Sequence, residues 1–393
     1  MKQRKILHII TRLDNGGSAV STFLCATREF DGMETAVAGG GNSPQVADLL
    51  ARRFLSDRVK IFPIRFLQRE VSPWREPLAL LELLALMSRY KPDIIHTHTS
   101  KAGALGRCAA AAYRLFAGKK VRVVHTPHGH VFYGYFSRAR TRFYIMVERL
   151  CSRISDRLVA LSESEKRESV ERGVGRAEQW TVIHSGVDLP QNLPTAQTRG
   201  LLRSELGIAP DCVVAGYAGR LTAIKGLDTF LRAAALLKDE EKLRFLLVGE
   251  GEERARLEQL ASELGLSGKV HFAGFRENVF DWLSAMDIFV HPSLNEGMGR
   301  ALVEAQAAGL PIAATTVCGI PDVVHHGKAG LLVPPSDAKA LAAAMKRLCA
   351  DPQLRRIYGD YGRAWVSGAD ENGLPRFSTR AMARKLELLY GSL

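Results

Sequence analysis

Short apolar runs alternate with longer segments of mixed polarity along the first half of the chain. Runs such as residues 6–10 and 121–125 are rich in the aliphatic and β-branched side chains of buried strands, and the stretches between runs are long enough for helices. The pattern predicts strands at residues 6–10, 34–38, 59–64, 94–96, 121–125, 157–160 and 180–183, and helices that include residues 18–28, 74–90 and 103–115.

The same alternation starts again after residues 192–195, which have the composition of a linker. It predicts strands at residues 213–217, 244–248, 270–273, 287–291, 312–314 and 330–333, and helices that include residues 227–238, 252–264, 279–284 and 299–308. Such alternation is typical of a mostly parallel sheet with helices on both faces.

The chain of 393 residues is too long for one ordinary core, so two domains are expected. We predict an α/β protein of two doubly wound, Rossmann-like domains that face each other across a central cleft. The first comprises residues 1–190 and the second residues 191–375. The last helix, within residues 376–393, can pack back on the first domain.

The positive charge of the chain is concentrated in its first half. Residues 1–190 contain 30 lysines and arginines against 18 acidic residues, whereas residues 191–393 contain 24 against 23. An anionic partner for the first half is therefore expected. Nucleic acid is disfavoured because no helix-turn-helix, zinc-finger or RNA-binding aromatic signature is present, and an anionic membrane surface fits better.

Neither the apolar runs nor the cysteines indicate a membrane span or a zinc site. No apolar run approaches the roughly 18 residues that a spanning helix needs. The pattern of the first ten residues predicts a short basic start followed by a buried strand. The six cysteines are scattered and form no C-x-x-C pair, which favours a reducing cytosol.

A glycine pair follows the first predicted strand. Gly16 and Gly17, in the sequence Asp-Asn-Gly-Gly-Ser, would let the backbone approach a ligand closely, although a plain turn explains them equally well. The dinucleotide fingerprint G-x-G-x-x-G is absent, so a dehydrogenase is disfavoured.

Two basic residues follow the first strand of the second domain. Arg220 and Lys225 lie in Gly-Arg-Leu-Thr-Ala-Ile-Lys-Gly, where a ligand is expected beyond the carboxyl end of a strand. A guanidinium fork and an ammonium together suit a diphosphate, and they would stabilise a nucleoside diphosphate as it leaves. The alternative is two exposed basic residues on a loop.

Two carboxylates eight positions apart flank a helix start. Glu296 precedes the predicted helix, with Gly297 and Gly299 beside it, and Glu304 lies more than a turn inside. Free N–H groups and the positive end of the helix dipole favour a phosphate there, so carboxylates on either side could hold two sets of hydroxyls. That arrangement suits a nucleotide-sugar. The alternative is a capping residue and a solvated residue.

Several histidines fall at predicted strand ends. His128, within His-Thr-Pro-His-Gly-His, could donate to a sugar hydroxyl or orient an acceptor, and His96 and His98 could line the same cleft. A structural role is the alternative for each. Histidines at positions 125, 128 and 130 in a Pro/Gly turn are poor evidence for a metal site.

Three segments together resemble the retaining glycosyltransferases of family 4, which have the GT-B fold. The segments are Gly219-Arg220 with Lys225-Gly226, Glu296-Gly297-Met298-Gly299 with Glu304-Ala305, and Gly330-Leu331-Leu332-Val333-Pro334-Pro335. The resemblance implies that Arg220 and Lys225 bind the donor diphosphate, Glu296 the transferred sugar and Glu304 the ribose. It also places Gly17 by the diphosphate, His128 at the sugar and the base near residues 249–251 and 275–278.

The resemblance implies a complete donor site, an acceptor side and a catalytic set, with no metal and no cofactor. Its catalytic residues are His128, Arg220, Lys225 and Glu296. The donor-binding residues are Gly16, Gly17, Arg220, Lys225, Gly249, Phe275, Arg276, Glu296, Gly297, Met298, Gly299, Arg300 and Glu304. No Asp-x-Asp motif, which would indicate a metal-dependent site, occurs in the chain.

A basic and aromatic segment, residues 133–157, is a candidate membrane or acceptor contact. Arg138, Arg140 and Arg142 alternate with aromatic and aliphatic residues, as in helices that lie at a lipid interface. The alternative is an ordinary surface helix whose apolar side faces the core. We favour the membrane because the charge bias extends over the whole first half.

These observations predict a retaining hexosyl- or N-acetylhexosaminyl-transferase. The donor is a UDP- or GDP-sugar, and the acceptor a saccharide or lipid-linked molecule in cell-surface polysaccharide or glycolipid synthesis. The predicted location is cytoplasmic, peripheral on the inner face of the cell membrane. The rivals are a nucleotide-sugar epimerase of similar shape and a non-catalytic protein that binds a nucleotide-sugar or anionic lipid.

Overall fold

The computed structural model describes residues 3–13, 17–27, 32–40, 59–118, 120–130, 132–134, 136–190 and 192–393. The chain divides into two compact units. The first comprises Met1–Gly186 together with Thr379–Leu393, and the second comprises Val187–Ser378. These boundaries lie a few residues from those expected at 190 and 375.

The first unit is built on a seven-stranded parallel sheet. Its strands are β1 (Arg4–Ile10), β2 (Met33–Gly39), β3 (Lys60–Pro63), β4 (Ile94–His98), β5 (Arg122–Thr126), β6 (Arg157–Ala160) and β7 (Trp180–Val182), in the order β3-β2-β1-β4-β5-β6-β7. The helices between them are α1 (Gly17–Thr27), α2 (Arg75–Tyr90), α3 (Ser100–Ala117), α4 (Arg138–Ser152) and α5 (Glu163–Glu171).

The first sheet is apolar on both faces because helices cover both. Leu7 and Ile9 of β1 belong to one buried cluster with Leu83 of α2, while Ile6 belongs to another on the opposite face. Successive side chains of a strand point to opposite faces, so a run buried at every position must be covered twice. This explains why the strands read as continuous apolar runs.

The second unit is built on a six-stranded parallel sheet. Its strands are β8 (Val213–Ala218), β9 (Leu243–Val248), β10 (Val270–Gly274), β11 (Ile288–His291), β12 (Ile312–Thr315) and β13 (Gly330–Val333), in the order β10-β9-β8-β11-β12-β13. Its helices are α6 (Ala196–Glu205), α7 (Leu227–Ala235), α8 (Arg254–Glu263), α9 (Val279–Ser284), α10 (Arg300–Ala307), α11 (Ile320–Val323), α12 (Ala338–Ala350) and α13 (Pro352–Ser367).

Each sheet contains one point where the strand order reverses. In the first unit β1 lies beside β4, and in the second β8 lies beside β11. The loops that leave two such neighbouring strands run to opposite faces of the sheet, which opens a crevice beyond their carboxyl ends. Ligand sites in open α/β sheets are found at this position.

The last helix, α14 (Thr379–Gly391), packs in the first unit. Met382, Leu386 and Tyr390 join the buried cluster that contains Ile6 and Ile94. The chain therefore returns, after the whole second unit, to cover a face of the first sheet.

Candidate functional site

Four neighbouring strands of the second sheet end in segments that the sequence assigns to a donor site. In sheet order, β10 leads to Phe275 and Arg276, β9 to Gly249, β8 to Arg220, and β11 to Glu296. The loops contact one another directly: the Gly249 N–H donates to the Gly274 carbonyl at 2.8 Å. The structure thus brings these predicted residues to one edge of the sheet.

Two glycines allow the loops at this edge to touch. Gly226 has a φ of 62°, and a Cβ there would lie 2.3 Å from the carbonyl oxygen of Pro292. Gly249 has a φ of 139°, and a Cβ there would lie 1.9 Å from the carbonyl oxygen of Gly219. A side chain at either position would force the backbones apart.

Lys225 and Glu296 form an ion pair at the reversal point between β8 and β11. Lys225 Nζ lies 2.5 Å from Glu296 Oε2. The same oxygen lies 3.2 Å from His291 Nε2 and 3.3 Å from Ser293 Oγ. Both side chains of the pair are mostly buried, with 22% and 15% of their surface exposed. The pair is therefore a charged centre inside the crevice.

The surroundings keep Glu296 ionised. Burial alone would raise the pKa of Glu296, but the charge of Lys225 and the hydrogen bond to His291 oppose it, and the net pKa lies well below its ordinary value. Burial lowers the pKa of His291, against the opposing effect of Glu296. A neutral His291 therefore donates its Nε2–H to the carboxylate.

Arg220 leaves β8 with an exposed side chain on a fixed backbone. Its carbonyl oxygen accepts a hydrogen bond from the Tyr217 hydroxyl at 3.1 Å, and Tyr217 is fully buried. Burial, followed by the charge of Glu296, raises the pKa of Tyr217 well above its ordinary value, so the hydroxyl keeps its proton. The end of β8 therefore holds the backbone of Arg220 in place, with the guanidinium at the edge of the crevice.

Helix α10 begins directly after the Glu296 loop. Gly299 precedes its first residue, Arg300, and Glu304 lies one turn further on with a half-buried side chain. The Met298 side chain is buried, so only its backbone is placed to meet a ligand. The Leu302 N–H donates to the Gly299 carbonyl at 2.9 Å. The amides of the first turn precede the regular bonds of a helix, which suits a helix start to an anion.

The loop after β10 carries an exposed aromatic ring beside an anchored arginine. Phe275 is 52% exposed. The Arg276 guanidinium lies over the ring of Trp282, 4.5 Å from its centroid, and Arg276 Nε donates to the Ala273 carbonyl at 3.0 Å. The edge thus offers a flat ring and a cation next to Gly249.

His128 lies in the first unit, two residues after β5. Its backbone has a φ of 57°, a conformation uncommon for a residue with a side chain. Its Nε2 lies 2.9 Å from Nδ1 of His98. Gly17 is the exposed first residue of α1, the helix that follows β1 along the chain. Gly16 lies outside the described residues.

His96 and His98, which were predicted to line the acceptor side, lie in the interior of the first unit. β4 extends to His98, two residues beyond the predicted end, and both imidazoles are fully buried. His96 bonds through Nδ1 to the Tyr390 hydroxyl at 2.6 Å and through Nε2 to Thr126 Oγ1 at 2.8 Å. Helix α14 covers this face of the sheet, which is why the two imidazoles are not exposed to solvent.

The three histidines of the turn after β5 bind three different partners. His125 Nδ1 contacts Thr97 Oγ1 at 2.9 Å, and His130 Nε2 contacts Glu168 Oε2 at 2.7 Å. His128 contacts His98. They therefore do not surround a common metal position.

The outward face of α4 is apolar. Phe143, Met146 and Leu150 are 54%, 49% and 53% exposed, whereas Ile145 and Glu148 face the interior. The predicted contact residues Arg138, Arg140 and Arg142 are exposed in the first turns of the same helix. The helix thus packs Ile145 into a buried cluster, as the alternative expects, and also exposes three apolar side chains to solvent. None of the helices in the described part of the chain is both long and apolar enough to cross a membrane.

Sequence reasoning missed the residues that support Glu296. His291 was predicted only as the end of a strand, and it is indeed the last residue of β11, with a buried side chain. Neither its contact with Glu296 nor that of Ser293 was predicted. A histidine at the end of an apolar run, next to a proline, was the available signal.

Comparison with known proteins is consistent with this geometry. Residues 199–365 match the family described as Glycosyl transferases group 1, and residues 12–191 match Glycosyltransferase Family 4. The two matches meet close to the boundary between the two units.

Individual relatives extend over most of the chain. The UDP-Gal:alpha-D-GlcNAc-diphosphoundecaprenol alpha-1,3-galactosyltransferase of Escherichia coli is 30% identical over 305 residues, which cover 77% of this chain and 78% of the relative. A D-inositol 3-phosphate glycosyltransferase of Thermobispora bispora is 30% identical over 84% of this chain and 78% of its own.

Solved structures show the same architecture. Anabaena Alr3699/HepE in complex with UDP-glucose superposes with a TM-score of 0.81 at 24% identity, covering 99% of this chain and 100% of that one. The α/β GT-B fold predicted from the sequence is thereby confirmed. From the family matches and the extent of the relatives, the chain belongs to the family 4 glycosyltransferases.

Proposed function

We propose that this glycosyltransferase moves a sugar from a UDP- or GDP-sugar to a saccharide or lipid-linked acceptor, with retention of the anomeric configuration. The observation that carries the proposal is the Lys225–Glu296 pair between the ends of β8 and β11, 2.5 Å apart and mostly buried. At this position a cation that can bind a phosphate lies beside a carboxylate that can bind a hydroxyl.

The site offers each part of a nucleotide-sugar a partner of matching chemistry. Lys225 and Arg220 face the negative charges of the diphosphate, with the first amides of α10 beside them. Glu296 uses Oε2 for its contacts with Lys225, His291 and Ser293, so Oε1 is the oxygen that a sugar hydroxyl would reach. Glu304 is assigned to the ribose, and Phe275 and Gly249 to the base.

Chemistry at this site requires the diphosphate to leave and a hydroxyl to attack from the same face. The bond between the anomeric carbon and the phosphate oxygen breaks first, and its electron pair stays on the phosphate. The acceptor hydroxyl forms the new bond and passes its proton to the departing phosphate. Arg220 and Lys225 stabilise the charge on the diphosphate, and ionised Glu296 stabilises positive charge on the sugar.

A lipid-linked acceptor is supported by the relatives and by charge. The E. coli relative is named for an acceptor on diphosphoundecaprenol. In this chain the first half carries the excess of basic residues. We therefore assign the acceptor to the first unit and expect it at an anionic membrane surface.

A panel of nucleotide-sugars tests the donor site. At a concentration of 100 times its dissociation constant, the true donor should stabilise the protein by about 2.7 kcal/mol, which raises the melting temperature by several degrees. UDP-galactose, UDP-glucose, UDP-N-acetylglucosamine and GDP-mannose are the first ligands to compare by thermal unfolding. Failure of all four, and of UDP and GDP, to raise the melting temperature would contradict the donor site.

Nucleotide release separates transfer from the rival functions. A transferase releases UDP or GDP in proportion to acceptor, whereas an epimerase converts the donor without acceptor and a binding protein does neither. The anomeric coupling constant of the product tests retention. A product with the inverted configuration would refute the proposed mechanism.

The apolar face of α4 is expected to bind anionic membranes. Replacing Phe143, Met146 and Leu150 together by serine should lower binding at least tenfold, because each buried apolar side chain contributes about 1.5–3 kcal/mol. Replacing Arg138, Arg140 and Arg142 together by serine should lower binding about 100-fold on anionic vesicles only, at about 1 kcal/mol for each charge. Sedimentation with phosphatidylglycerol-containing vesicles and with pure phosphatidylcholine vesicles measures both effects.

Leu201 and Leu236 supply the control for this experiment. They are 65% and 57% exposed and lie in the second unit, so serine there should leave sedimentation unchanged. Equal binding of the wild type to anionic and neutral vesicles would remove the membrane assignment.

A further inference from the structure

Three imidazoles form a hydrogen-bonded chain from the interior of the first unit to His128. His8 Nδ1 lies 2.9 Å from His98 Nε2, and His98 Nδ1 lies 2.9 Å from His128 Nε2. His8 and His98 are on β1 and β4, the two strands at the reversal point of the first sheet, and both are fully buried. Neither ring is therefore exposed to solvent.

Both inner histidines are neutral at physiological pH. Burial lowers the pKa of His8 to about 3. Burial, followed by the neighbouring histidines, lowers the pKa of His98 well below its ordinary value. Each ring consequently carries one proton, on Nδ1 or on Nε2.

The two contacts couple the tautomers of the three rings. Each nitrogen–nitrogen contact needs one N–H and one bare nitrogen. When His128 is neutral as well, only two arrangements satisfy both contacts: all three protons on Nδ1, or all three on Nε2. His128 cannot change its tautomer without a change in His98 and His8.

The buried end of the chain decides between the two arrangements. His8 Nε2 is buried and has no hydrogen-bond partner among the described residues. If all protons were on Nε2, this atom would be an N–H donor with no acceptor. In the other arrangement it is a bare nitrogen. Unsatisfied buried N–H groups are rarer in proteins than unsatisfied acceptors, so the arrangement with protons on Nδ1 is favoured.

We propose that His8 and His98 are positioning residues that lock His128 in its Nδ1–H tautomer, so that His128 offers a hydrogen-bond donor to a substrate hydroxyl and does not act as a general base through Nδ1. The proposal rests on the proposed function and on the place that the family resemblance gives His128, beside the transferred sugar. The φ of 57° at His128 also fixes the direction in which its side chain leaves the backbone.

A metal ion is a weaker explanation of the same histidines. Ligand atoms of His8, His96 and His98 lie within 4.8 Å of one another. However, the 2.9 Å between His8 Nδ1 and His98 Nε2 is a hydrogen-bond distance. It is shorter than the roughly 3.3 Å between two ligands of a tetrahedral zinc ion. His96 uses both nitrogens in bonds to Tyr390 and Thr126.

Nitrogen NMR of the wild-type protein tests the tautomer directly. In protein labelled with ¹⁵N at histidine, long-range correlation spectra distinguish protonated from bare ring nitrogens. The expected result is a protonated Nδ1 in His8, His98 and His128. A protonated Nε2 in His128, or different tautomers in the three rings, would overturn the proposal. The measurement needs no activity, so its failure is distinct from failure of the proposed function.

Two variants of His8 test whether the buried ring acts at a distance. Asparagine places an amide N–H near the position of Nδ1 and should keep the chain intact, whereas leucine removes the donor. His8→Leu should show a mixture of His128 tautomers and a kcat about fivefold lower, the effect of one hydrogen bond of about 1 kcal/mol, with an unchanged KM for the donor. His8→Asn should restore the spectrum and most of kcat.

His125→Gln is the matched control. His125 is as buried as His8 but lies outside the chain and contacts Thr97. Its loss should lower the melting temperature without altering the His128 spectrum. Identical His128 spectra and kcat values in His8→Leu and His8→Asn would refute the positioning role, because only a structural effect would then remain.

Discussion

Glu296→Gln is expected to lower turnover by about two to three orders of magnitude, the range found when one electrostatic contact to a transition state is removed. Glutamine keeps the size of the side chain but removes its charge. Positive charge then develops on the sugar without a fixed anion nearby. The loss should therefore appear in kcat, with donor binding changed only a few fold.

The geometry makes this a test of charge and not of shape. Oε2 of Glu296 is bonded to Lys225, His291 and Ser293, and the carbonyl of glutamine can still accept from these donors. Initial rates of nucleotide release, with a melting curve to verify folding, measure the effect. A variant that keeps more than a tenth of wild-type turnover would show that Glu296 does not serve the chemistry.

Glu241 provides the control. It is an exposed glutamate at the amino end of β9, away from the edge that carries the candidate site. Glu241→Gln removes the same charge from the same unit. It should leave turnover within twofold of the wild type, since surface substitutions usually change little.

Lys225→Met is expected to weaken donor binding about 10- to 100-fold, the value of one hydrogen bond to a charged group. The donor diphosphate loses a cation, and the departing diphosphate loses it as well, so kcat should also fall. Titration of UDP or GDP, followed by calorimetry, measures the first effect without turnover. Unchanged nucleotide affinity would exclude Lys225 from the diphosphate site.

Lys225→Met should also change how the free energy of unfolding depends on pH. In the wild type the pKa of Glu296 lies well below its ordinary value of 4.5, so its contribution to stability is complete above that pH and is lost only as pH falls towards the folded-state pKa. Without Lys225, burial is opposed only by the neutral partners His291 and Ser293, and the pKa of Glu296 rises. The variant then holds a poorly compensated carboxylate at pH 8 but can protonate it at lower pH.

The difference in unfolding free energy between wild type and Lys225→Met should therefore shrink from pH 8 to pH 5. At pH 8 about 1–3 kcal/mol is expected, less than for a fully buried pair because both side chains are partly exposed. The double variant Lys225→Met, Glu296→Gln should lose this pH dependence. A deficit that is equal at pH 5 and pH 8 would show that the pair does not control the ionisation of Glu296.

The positions of the strands could be predicted from the sequence because buried parallel strands leave a direct trace. Each strand of the two sheets is a short apolar run, and the Arg220, Lys225 and Glu296 segments follow such runs. The carboxyl ends of parallel strands share one edge, so residues far apart in sequence could be grouped before the structure was known.

The histidines show where this reasoning stops. His96 and His98 were assigned to an acceptor site, but they are interior residues bonded to Tyr390 and to other histidines. A polar residue at a strand end can face a ligand or the core. Which of the two occurs here is decided by helix α14, almost 300 residues later in the chain. Local sequence patterns hold no information about that contact.

Helix α14 also constrains how the protein is made. The face of the first sheet that contains Ile6, Ile94 and Val124 is covered in part by Leu386 and Tyr390, which are synthesised after the whole second unit. At about 5–20 residues per second, a ribosome needs roughly 10–40 s to travel from residue 186 to residue 390. Throughout that interval the apolar surface that α14 will cover is exposed to solvent. The newly made first unit is then a natural substrate for a holding chaperone.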